Sequence, residues 1–223
     1  MSQTGGPSAT DGPAGSQAAA GPAQSPASAT RGGGPGRATT AAVVLAAGGG
    51  SRYRGPTHKL LADLKGRPVV SWSVEAALGA ALEETIVVTG AIDLAEVLPD
   101  QVTVLENPGW AEGLATSLAV GLDWCARQGH RAAVVGLGDQ PLVTTSAWQT
   151  VAAADHAPIV VATYGGQRRN PVRLRQDVWP LLPSSGDEGA RTLMRSRPEL
   201  VGEVACEGEP IDIDTWEDLE RWS

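Results

Sequence analysis

The apolar residues of this chain are grouped in short runs separated by longer segments of mixed polarity. The runs Ala41–Leu45, Thr85–Thr89 and Arg131–Leu137 consist largely of apolar and β-branched residues, and a glycine follows each of them closely. Runs of this length and composition are typical of strands that are buried on both faces. The pattern therefore predicts a sheet whose central strands have no solvent-exposed side.

Further segments complete an alternation of strands and helices. We expect additional strands over Val102–Leu105, Ile159–Tyr164, Asn170–Leu174 and Leu200–Cys206. The second and third of these should form an antiparallel hairpin that turns at Gly165-Gly166. Periodic or capped segments predict helices over about Pro68–Ala81, Asp93–Leu98, Ser117–Gln128, Thr144–Ala154, Trp179–Leu182, Gly186–Arg195 and Thr215–Trp222. Strands that alternate with helices indicate an α/β fold with a mainly parallel sheet, and the hairpin makes that sheet mixed.

Residues 1–38 differ from the rest of the chain in composition. They are mainly Ala, Gly, Pro, Ser, Thr and Gln, and they include no Val, Leu, Ile or aromatic residue. Such a segment buries too little apolar surface to offset the entropy lost on ordering. We therefore expect a disordered tail over residues 1–38, followed by one domain over residues 39–223.

The same features bear on the compartment. The tail lacks the charged and apolar regions of a signal peptide, and no apolar run approaches the length of a membrane span. Cys125 and Cys206 have no metal-ligand spacing and are interpreted as buried thiols in a reducing cytosol, although they would pair in an oxidising compartment. We expect a cytoplasmic protein.

The charge of the chain limits its partners. A formal net charge of −8 at pH 7 argues against a general nucleic-acid-binding protein. Basic residues are nevertheless concentrated around one glycine-rich stretch. This combination suggests a small anionic ligand, with metal ions that help to hold it.

The glycine-rich stretch follows the first predicted strand. Three consecutive glycines in Gly48–Ser51 expose backbone N–H groups that suit phosphate oxygens, and Arg52 and Lys59 add positive charge. The loop is not a P-loop, because GK[ST] is absent, and not a dinucleotide fingerprint, because Tyr53 stands where the third glycine belongs. We interpret it as a polyphosphate cradle. A flexible glycine loop with solvated arginines is the alternative for these residues taken alone.

Three carboxylates are expected near this loop. Asp139 follows the strand at Arg131–Leu137, and Asp212 and Asp214 alternate around Ile213 near the chain end. In parallel sheets ligands bind beyond the carboxyl ends of the strands, so these segments should meet the glycine loop. A polyphosphate would repel carboxylates unless a divalent cation lay between them, and Mg²⁺ prefers such oxygen ligands. We expect Asp139 and Asp214 to hold Mg²⁺, with Asp212 as a weaker candidate.

Simpler interpretations exist for several of these residues. Asp139 can be a turn residue before Pro141, and Asp214 can be a charge at a helix N-terminus. His58, beside Lys59, is interpreted as a solvated loop residue rather than a phosphate contact, and His130 as a surface residue. In a chain without phenylalanine, Trp110 is a candidate for the pocket wall, whereas core positions are expected for Trp72, Trp124, Trp148 and Trp179.

Six motifs follow one another along residues 40–223. They are LAAG with a later arginine and lysine, NPGW with EG and ATSL, GDQP, RRNPVRL, GDEGAR and DIDTWEDL. Together they resemble the MobA-like nucleotidyltransferases, and most closely the molybdenum cofactor cytidylyltransferase branch. The resemblance implies a Rossmann-like, three-layer nucleotidyltransferase domain. Its implied reaction transfers CMP, or GMP, from an NTP to the phosphate of molybdopterin and releases pyrophosphate.

The resemblance also implies roles for single residues. Arg52 and Lys59 would contact the phosphates, and Asp139 would bind Mg²⁺ with Asp214 as a second metal-side carboxylate. The nucleotide side would comprise Ala46, Ala47, Gly48, Gly49, Gly50, Ser51 and Ser117. The acceptor side would comprise Asn170, Asp187 and Arg191.

The chain departs from the family pattern close to these residues. Gly50 stands where the family has a serine, Tyr53 replaces a methionine, and Arg54 replaces a small residue. Trp216 occupies a position where a proline is common. The lost hydroxyl and the added cation change the contacts expected with phosphate.

Three functions are left open at this stage. The first is transfer to molybdopterin, for which the LAAG and GDQP motifs favour CTP. The second is the same chemistry on a sugar phosphate, methylerythritol phosphate or phospholactate. The third is a nucleotide-binding regulator without turnover, against which the presence of Arg52, Lys59, Asp139 and Asp214 argues. The expected partners are an NTP, a phosphorylated acceptor and a molybdoenzyme or its chaperone, rather than nucleic acid or a membrane.

Overall fold

The computed structural model describes residues 39–223, so the expected disorder of residues 1–38 lies outside the described residues. Within this range the strands are β1 (Thr40–Ala46), β2 (Asp63–Leu64), β3 (Arg67–Pro68), β4 (Glu84–Thr89), β5 (Thr103–Glu106), β6 (Ala132–Leu137), β7 (Ile159–Tyr164), β8 (Gln167–Arg175) and β9 (Val201–Ala205). The α-helices are α1 (Val69–Gly79), α2 (Leu114–Gln128), α3 (Thr145–Ala153), α4 (Ala190–Ser196) and α5 (Trp216–Trp222). In this part of the chain, no helix is both long and apolar enough to cross a membrane.

Strand directions follow the expected mixed pattern. Across the described residues the main sheet has seven strands in the order β5-β4-β1-β6-β8-β7-β9. β1 is parallel to β4 and β6, whereas β8 is antiparallel to both β6 and β7. The prediction of a mainly parallel, mixed sheet is therefore confirmed, and so is the hairpin at Gly165-Gly166.

Helices cover both faces of the central strands. Val43 of β1 packs in a cluster with residues of α2 and α4, whereas Val44 packs with residues of α1 and α3. Both valines are fully buried, because β1 also has a strand on either side. The continuous apolar runs thus form strands with two covered faces, and the result is three layers.

The edge that carries the carboxyl ends of β1 and β6 positions the site. The chain leaves β1 towards β4 on one side and returns to β6 on the other, which creates a topological switch point where α/β sheets bind ligands. The segment near the chain end reaches the same edge. The N–H of Ile213 donates to the carbonyl of Asp139 at 2.9 Å, and the Ile213 side chain is fully buried.

Three predicted helices differ in the structure. The segment expected as a helix at Trp179–Leu182 is a 3-10 helix over Gln176–Leu181 that contains Pro180. The segment expected as a helix at residues 93–98 has only a turn at residues 95–97, before which the Asp93 carboxylate accepts a hydrogen bond from the N–H of Ala95. So short a segment does not offset the cost of helix nucleation. The helix expected from residue 186 begins at Ala190. Gly186 and Gly189 have φ angles of +91° and +50°, outside the right-handed helical region.

A polar cluster joins the amino ends of the central strands. The Nδ1 atom of His130 lies 2.9 Å from Oγ1 of Thr39, and its Nε2 atom lies 3.0 Å from Oε2 of Glu84. Oε1 of Glu84 accepts hydrogen bonds from Thr103 and Trp124. His130 is only 4% exposed, so the predicted surface position is wrong. Its partner Glu84 is 46 residues away in the chain, and only the pairing of β4 and β6 with the two sides of β1 brings the two residues together.

The cluster should make stability depend on pH. Burial raises the pKa of Glu84, but hydrogen bonds from Thr103, His130 and Trp124 outweigh burial, so the pKa lies below its ordinary value. The carboxylate therefore stabilises the fold above the pKa of the unfolded chain, and this contribution is lost as the pH falls through the folded pKa.

Glu84→Gln is expected to lower the free energy of unfolding at neutral pH by about 1–3 kcal/mol, because buried His130 and two half-buried donors lose a charged acceptor. The difference from the wild type should shrink at a pH of about 4. Urea titrations at both pH values measure it. Glu83→Gln, at the exposed neighbouring position, is the control, and equal losses in the two variants would contradict the prediction.

Candidate active site

The loop after β1 requires glycine at two positions. Gly50 has a φ angle of +61°, and a Cβ atom there would lie 3.0 Å from Nε2 of His58. A Cβ atom on Gly49 would lie 2.9 Å from the ring of Trp110. Trp110 therefore packs directly against the loop, as considered for the pocket wall, and the loop backbone is left without side chains that would keep a ligand away.

His58 fixes the loop to the segment that carries Lys59. Its Nε2 atom lies 3.1 Å from the carbonyl oxygen of Gly48, and its Nδ1 atom accepts a hydrogen bond from the N–H of Leu60. A proton on Nε2 satisfies both contacts. Burial lowers the pKa of His58, which favours this neutral form. The prediction of a solvated histidine is therefore wrong, and adjacency to Lys59 was the only sequence signal for its role.

Lys59 lies between two carboxylates. Its Nζ atom is 2.6 Å from Oδ2 of Asp139 and 3.0 Å from Oδ1 of Asp214, and its side chain is 11% exposed. Burial lowers the pKa of Lys59, but the two carboxylates outweigh burial and the pKa lies above its ordinary value. Arg52, which is largely exposed, binds the other oxygen of Asp214 at 2.9 Å. Residues predicted from three separate segments thus form one ion cluster.

The donors in this cluster fit a divalent cation. Oδ1 of Asp139 is buried and has no hydrogen-bond partner within residues 39–223, so it offers its lone pairs to a ligand. No group of three carboxylate, imidazole or thiol side chains converges on one point in the described part of the chain. A hard cation with few protein ligands, completed by phosphate oxygens and water, matches this arrangement.

A buried amide links Asp212 to the opposite strand. The side chain of Gln140 is 2% exposed, donates to Oδ1 of Asp212 at 2.8 Å, and accepts from Nδ2 of Asn170 at 3.1 Å. Burial and the negative charge of Asp139 raise the pKa of Asp212. The GDQP motif pointed to this segment, but no local pattern showed that Gln140 would connect two distant elements.

The start of α2 carries Ser117 into the same site. The buried side chain of Asn107 donates to the hydroxyl oxygens of Thr116 and Ser117, each at 2.9 Å. Gly113 has a φ angle of +111°, and a Cβ atom there would lie 2.5 Å from the carbonyl carbon of Gly186. Glycine at this point allows the loop before α2 to pack against the loop before α4.

The predicted acceptor-side residues lie on β8 and around the start of α4. Asn170 is held by Gln140, as described above, and Asp187 and Arg191 belong to the GDEGAR segment. Arg168 and Arg169 lie beside them in the cavity wall. The RRNPVRL motif contains both arginines, but the family resemblance singles out only the asparagine.

These groups surround one cavity of about 790 Å³ at the carboxyl edge of the sheet. All the sequence-predicted site residues line it, namely Ala46, Ala47, Gly48, Gly49, Gly50, Ser51, Arg52, Lys59, Ser117, Asp139, Asn170, Asp187, Arg191 and Asp214. Asp212 and Trp110 line it as well. Its buried wall is apolar and includes Val135, Val161 and Met194. A cavity of this size suits a small-molecule ligand.

Two departures from the family pattern contact each other beside this cavity. The rings of Tyr53 and Trp216 have centroids 6.2 Å apart. Tyr53 also packs in a cluster with Ile213 and Leu219. The aromatic pair therefore ties the glycine-loop segment to the segment that carries Asp214.

A glycine loop and a metal-compatible carboxylate at the switch point of a mainly parallel sheet define a nucleotide-binding α/β protein of the Rossmann-like type. The family is more specific. Residues 42–201 match the MobA-like NTP transferase domain, and the chain belongs to this family of nucleotidyltransferases.

Individual relatives agree with this placement. The chain is 31% identical over 197 residues to nicotine blue oxidoreductase of Paenarthrobacter nicotinovorans, covering 80% of this chain and 94% of that protein. It is 39% identical over 112 residues to the bifunctional protein GlmU of Cutibacterium acnes, covering 47% of this chain and 26% of GlmU. The chain therefore spans about a quarter of the length of that relative.

Solved structures share the whole fold. Rv0371c from Mycobacterium tuberculosis H37Rv superposes with a TM-score of 0.73 at 27% identity, covering 82% of this chain and 96% of that chain. A further structure of Rv0371c, in complex with manganese, has a TM-score of 0.69 at 26% identity and covers 82% of this chain and 97% of that chain. The expected Rossmann-like nucleotidyltransferase fold is confirmed.

Proposed function

We propose that this protein is a Mg²⁺-dependent nucleotidyltransferase that transfers CMP, or GMP, from an NTP to the phosphate of a molybdopterin-type cofactor and releases pyrophosphate. The observation that carries the proposal is the convergence of a bare glycine loop, Lys59 and the unpartnered oxygen of Asp139 in one cavity. Family membership supports nucleotidyl transfer. The six motifs and their resemblance support CTP and the molybdopterin acceptor.

In this proposal the backbone N–H groups of Gly48–Gly50 and the cations Arg52 and Lys59 hold the triphosphate. Asp139 and Asp214 would hold Mg²⁺, which would neutralise charge on the phosphates. The phosphate of the acceptor attacks the α-phosphorus in line, and it is already ionised, so no strong general base is needed. Catalysis then comes from positioning and from stabilisation of developing charge.

The remaining cavity residues are assigned either to the nucleotide or to the acceptor. Ala46, Ala47, Ser51 and Ser117 would contact the nucleotide, and the acceptor would meet Asn170, Asp187 and Arg191. We propose a cytoplasmic protein whose product passes to a molybdoenzyme or its chaperone. Neither nucleic acid nor a membrane is proposed as a partner.

The test is pyrophosphate release in the presence of Mg²⁺ with the four common NTPs and a panel of acceptors. Release with molybdopterin and CTP or GTP supports the proposal. Release only with a sugar phosphate, methylerythritol phosphate or phospholactate would keep the chemistry and replace the acceptor. Nucleotide binding without release from any combination would indicate a regulator without turnover.

A redox function is a second candidate, because a relative that aligns over most of both chains is named nicotine blue oxidoreductase. The apolar wall of the cavity would suit a planar aromatic compound. Tyr53 in place of the third glycine of a dinucleotide fingerprint argues against it. Oxidation of NADH or NADPH with a planar dye as acceptor, and no pyrophosphate release, would favour this candidate.

Gln140→Leu is expected to raise KM for the acceptor about tenfold, because leucine cannot hold Asn170 by a hydrogen bond. The value of kcat/KM for the NTP should change less than about threefold, since the glycine loop is untouched. Steady-state kinetics with each substrate varied in turn provide the measurement. Gln149→Leu, at an exposed position on α3, is the matched control. Equal effects on both substrates would contradict a specific role at the acceptor side.

A further inference from the structure

The ammonium group of Lys59 lies on the two carboxylates that the proposed function assigns to the metal. Its Nζ atom is 2.6 Å from Asp139 and 3.0 Å from Asp214. We infer that Lys59 holds these carboxylates until a triphosphate binds, so that the protein binds a divalent cation only together with nucleotide. The inference rests on the proposed function, because it takes Asp139 and Asp214 as metal ligands.

The charge balance of the cluster explains why a cation should bind weakly when no nucleotide is present. Asp139 and Asp214 contribute two negative charges. Lys59 contacts both carboxylates and Arg52 contacts Asp214, which offsets these charges. The carboxyl group of Asp212 lines the same cavity and adds to the negative side. A divalent cation entering this largely compensated cluster would meet the ammonium group of Lys59 at close range, and that repulsion opposes the attraction of the carboxylates. The repulsion between the ammonium group and the cation is strong at such distances, because charges in a half-buried site are screened less than charges in bulk water.

A triphosphate reverses this balance. It brings several negative charges to the glycine loop, which attract both cations away from the carboxylates. Lys59 can follow, because its stem already lies under the loop: a Cβ atom on Gly50 would be only 3.3 Å from Cγ of Lys59. The lysine side chain also has a flexible four-carbon stem that lets its head move between two sets of oxygens.

The second oxygen of Asp139 supports the same order of binding. Oδ2 is taken by Lys59, whereas Oδ1 is buried and has no partner within the described residues. A buried carboxylate oxygen without a partner is costly, which favours a ligand that can use it. Once Lys59 has moved to the phosphates, both oxygens of Asp139 would be available to a cation. Metal and nucleotide binding are thereby coupled, and the coupling must be reciprocal.

The test measures metal binding without nucleotide. Mn²⁺ binding followed by electron paramagnetic resonance should be weak in the wild type and at least about tenfold tighter in Lys59→Met. The chain has only two lysines, so Lys65→Met, which removes the same charge at an exposed position, is the matched control and should bind Mn²⁺ like the wild type. Unchanged Mn²⁺ affinity in folded Lys59→Met would overturn the inference.

A measurement on the wild type covers the case in which Lys59→Met does not fold. When the lysines carry ¹⁵N at Nζ, the NMR spectrum contains two lysine ammonium signals to assign, those of Lys59 and Lys65. The Lys59 signal should stay in place when Mg²⁺ is added alone and should shift when CTP or GTP follows. A shift with Mg²⁺ alone would overturn the inference.

These outcomes are independent of the transfer assay. Tighter Mn²⁺ binding by Lys59→Met, in a protein that releases no pyrophosphate with any acceptor, would reject the proposed function and keep the competition between Lys59 and the cation. Pyrophosphate release by the wild type, together with unchanged Mn²⁺ affinity in Lys59→Met, would keep the proposed function and reject the competition between Lys59 and the cation.

Discussion

Asp139→Ala is expected to reduce metal-dependent pyrophosphate release at least about a thousandfold, the loss of several kcal/mol of transition-state stabilisation. The variant removes the buried oxygen that has no partner in the described structure and that fits a cation. Its fold should persist, because Lys59 keeps its contact with Asp214 and the Asp139 backbone still accepts the hydrogen bond from Ile213. Single-turnover pyrophosphate release and thermal unfolding measure the two effects separately.

Asp123→Ala is the control for this prediction, because Asp123 is exposed on α2, away from the carboxyl edge of the sheet. It should leave pyrophosphate release within about twofold of the wild type. Near-normal turnover in folded Asp139→Ala would remove Asp139 from the site. A collapse of the fold in that variant would instead give Asp139 a structural role.

Gly50→Ala is expected to weaken nucleotide binding at least about tenfold and to lower the free energy of unfolding by roughly 1–2 kcal/mol. The φ angle of +61° is unfavourable for alanine, and the new methyl group would press on His58, which holds the carbonyl of Gly48. Displacement of His58 would distort the phosphate cradle. Isothermal titration with CTP and urea unfolding test the two parts.

Variants at two other glycines separate the backbone cost of a positive φ angle from the loss of nucleotide contacts. Gly165 has a φ angle of +55° and open space around it, so Gly165→Ala should show the backbone cost alone, with unchanged nucleotide affinity. Gly48 also has open space and no positive φ, so Gly48→Ala should affect the nucleotide affinity without a comparable loss of stability. If Gly50→Ala behaves like Gly165→Ala, the contact with His58 is unimportant for binding.

The location of the site could be predicted because each part has a local cause. The apolar run at β1 predicts a buried strand, three glycines predict an open loop after it, and the carboxyl edge collects such loops by the rule for parallel sheets. The same rule predicted that Asp139 and Asp214 would lie at this edge. All the residues expected in the site do line one cavity, although their individual roles are still predictions.

The contacts within the site could not be predicted in the same way. Lys59 was expected on phosphate, but in the structure it binds two carboxylates, one of them 155 residues away along the chain. His58, Gln140 and His130 act through partners on other elements, and their polar side chains have no periodic signal of their own. Such pairs depend on the final packing rather than on neighbours in sequence.

Local hydrophobic pattern and glycine placement were sufficient to determine the class of fold, most strands and the edge where ligands bind, because they act over a few residues. Only the tertiary structure decided the strand order, the partners of each charge and the burial of each polar group. Those features arise when distant segments compete for the same contacts. The pairing of Lys59 with Asp139 and Asp214 is such an outcome, and the inferred order of metal and nucleotide binding depends on it.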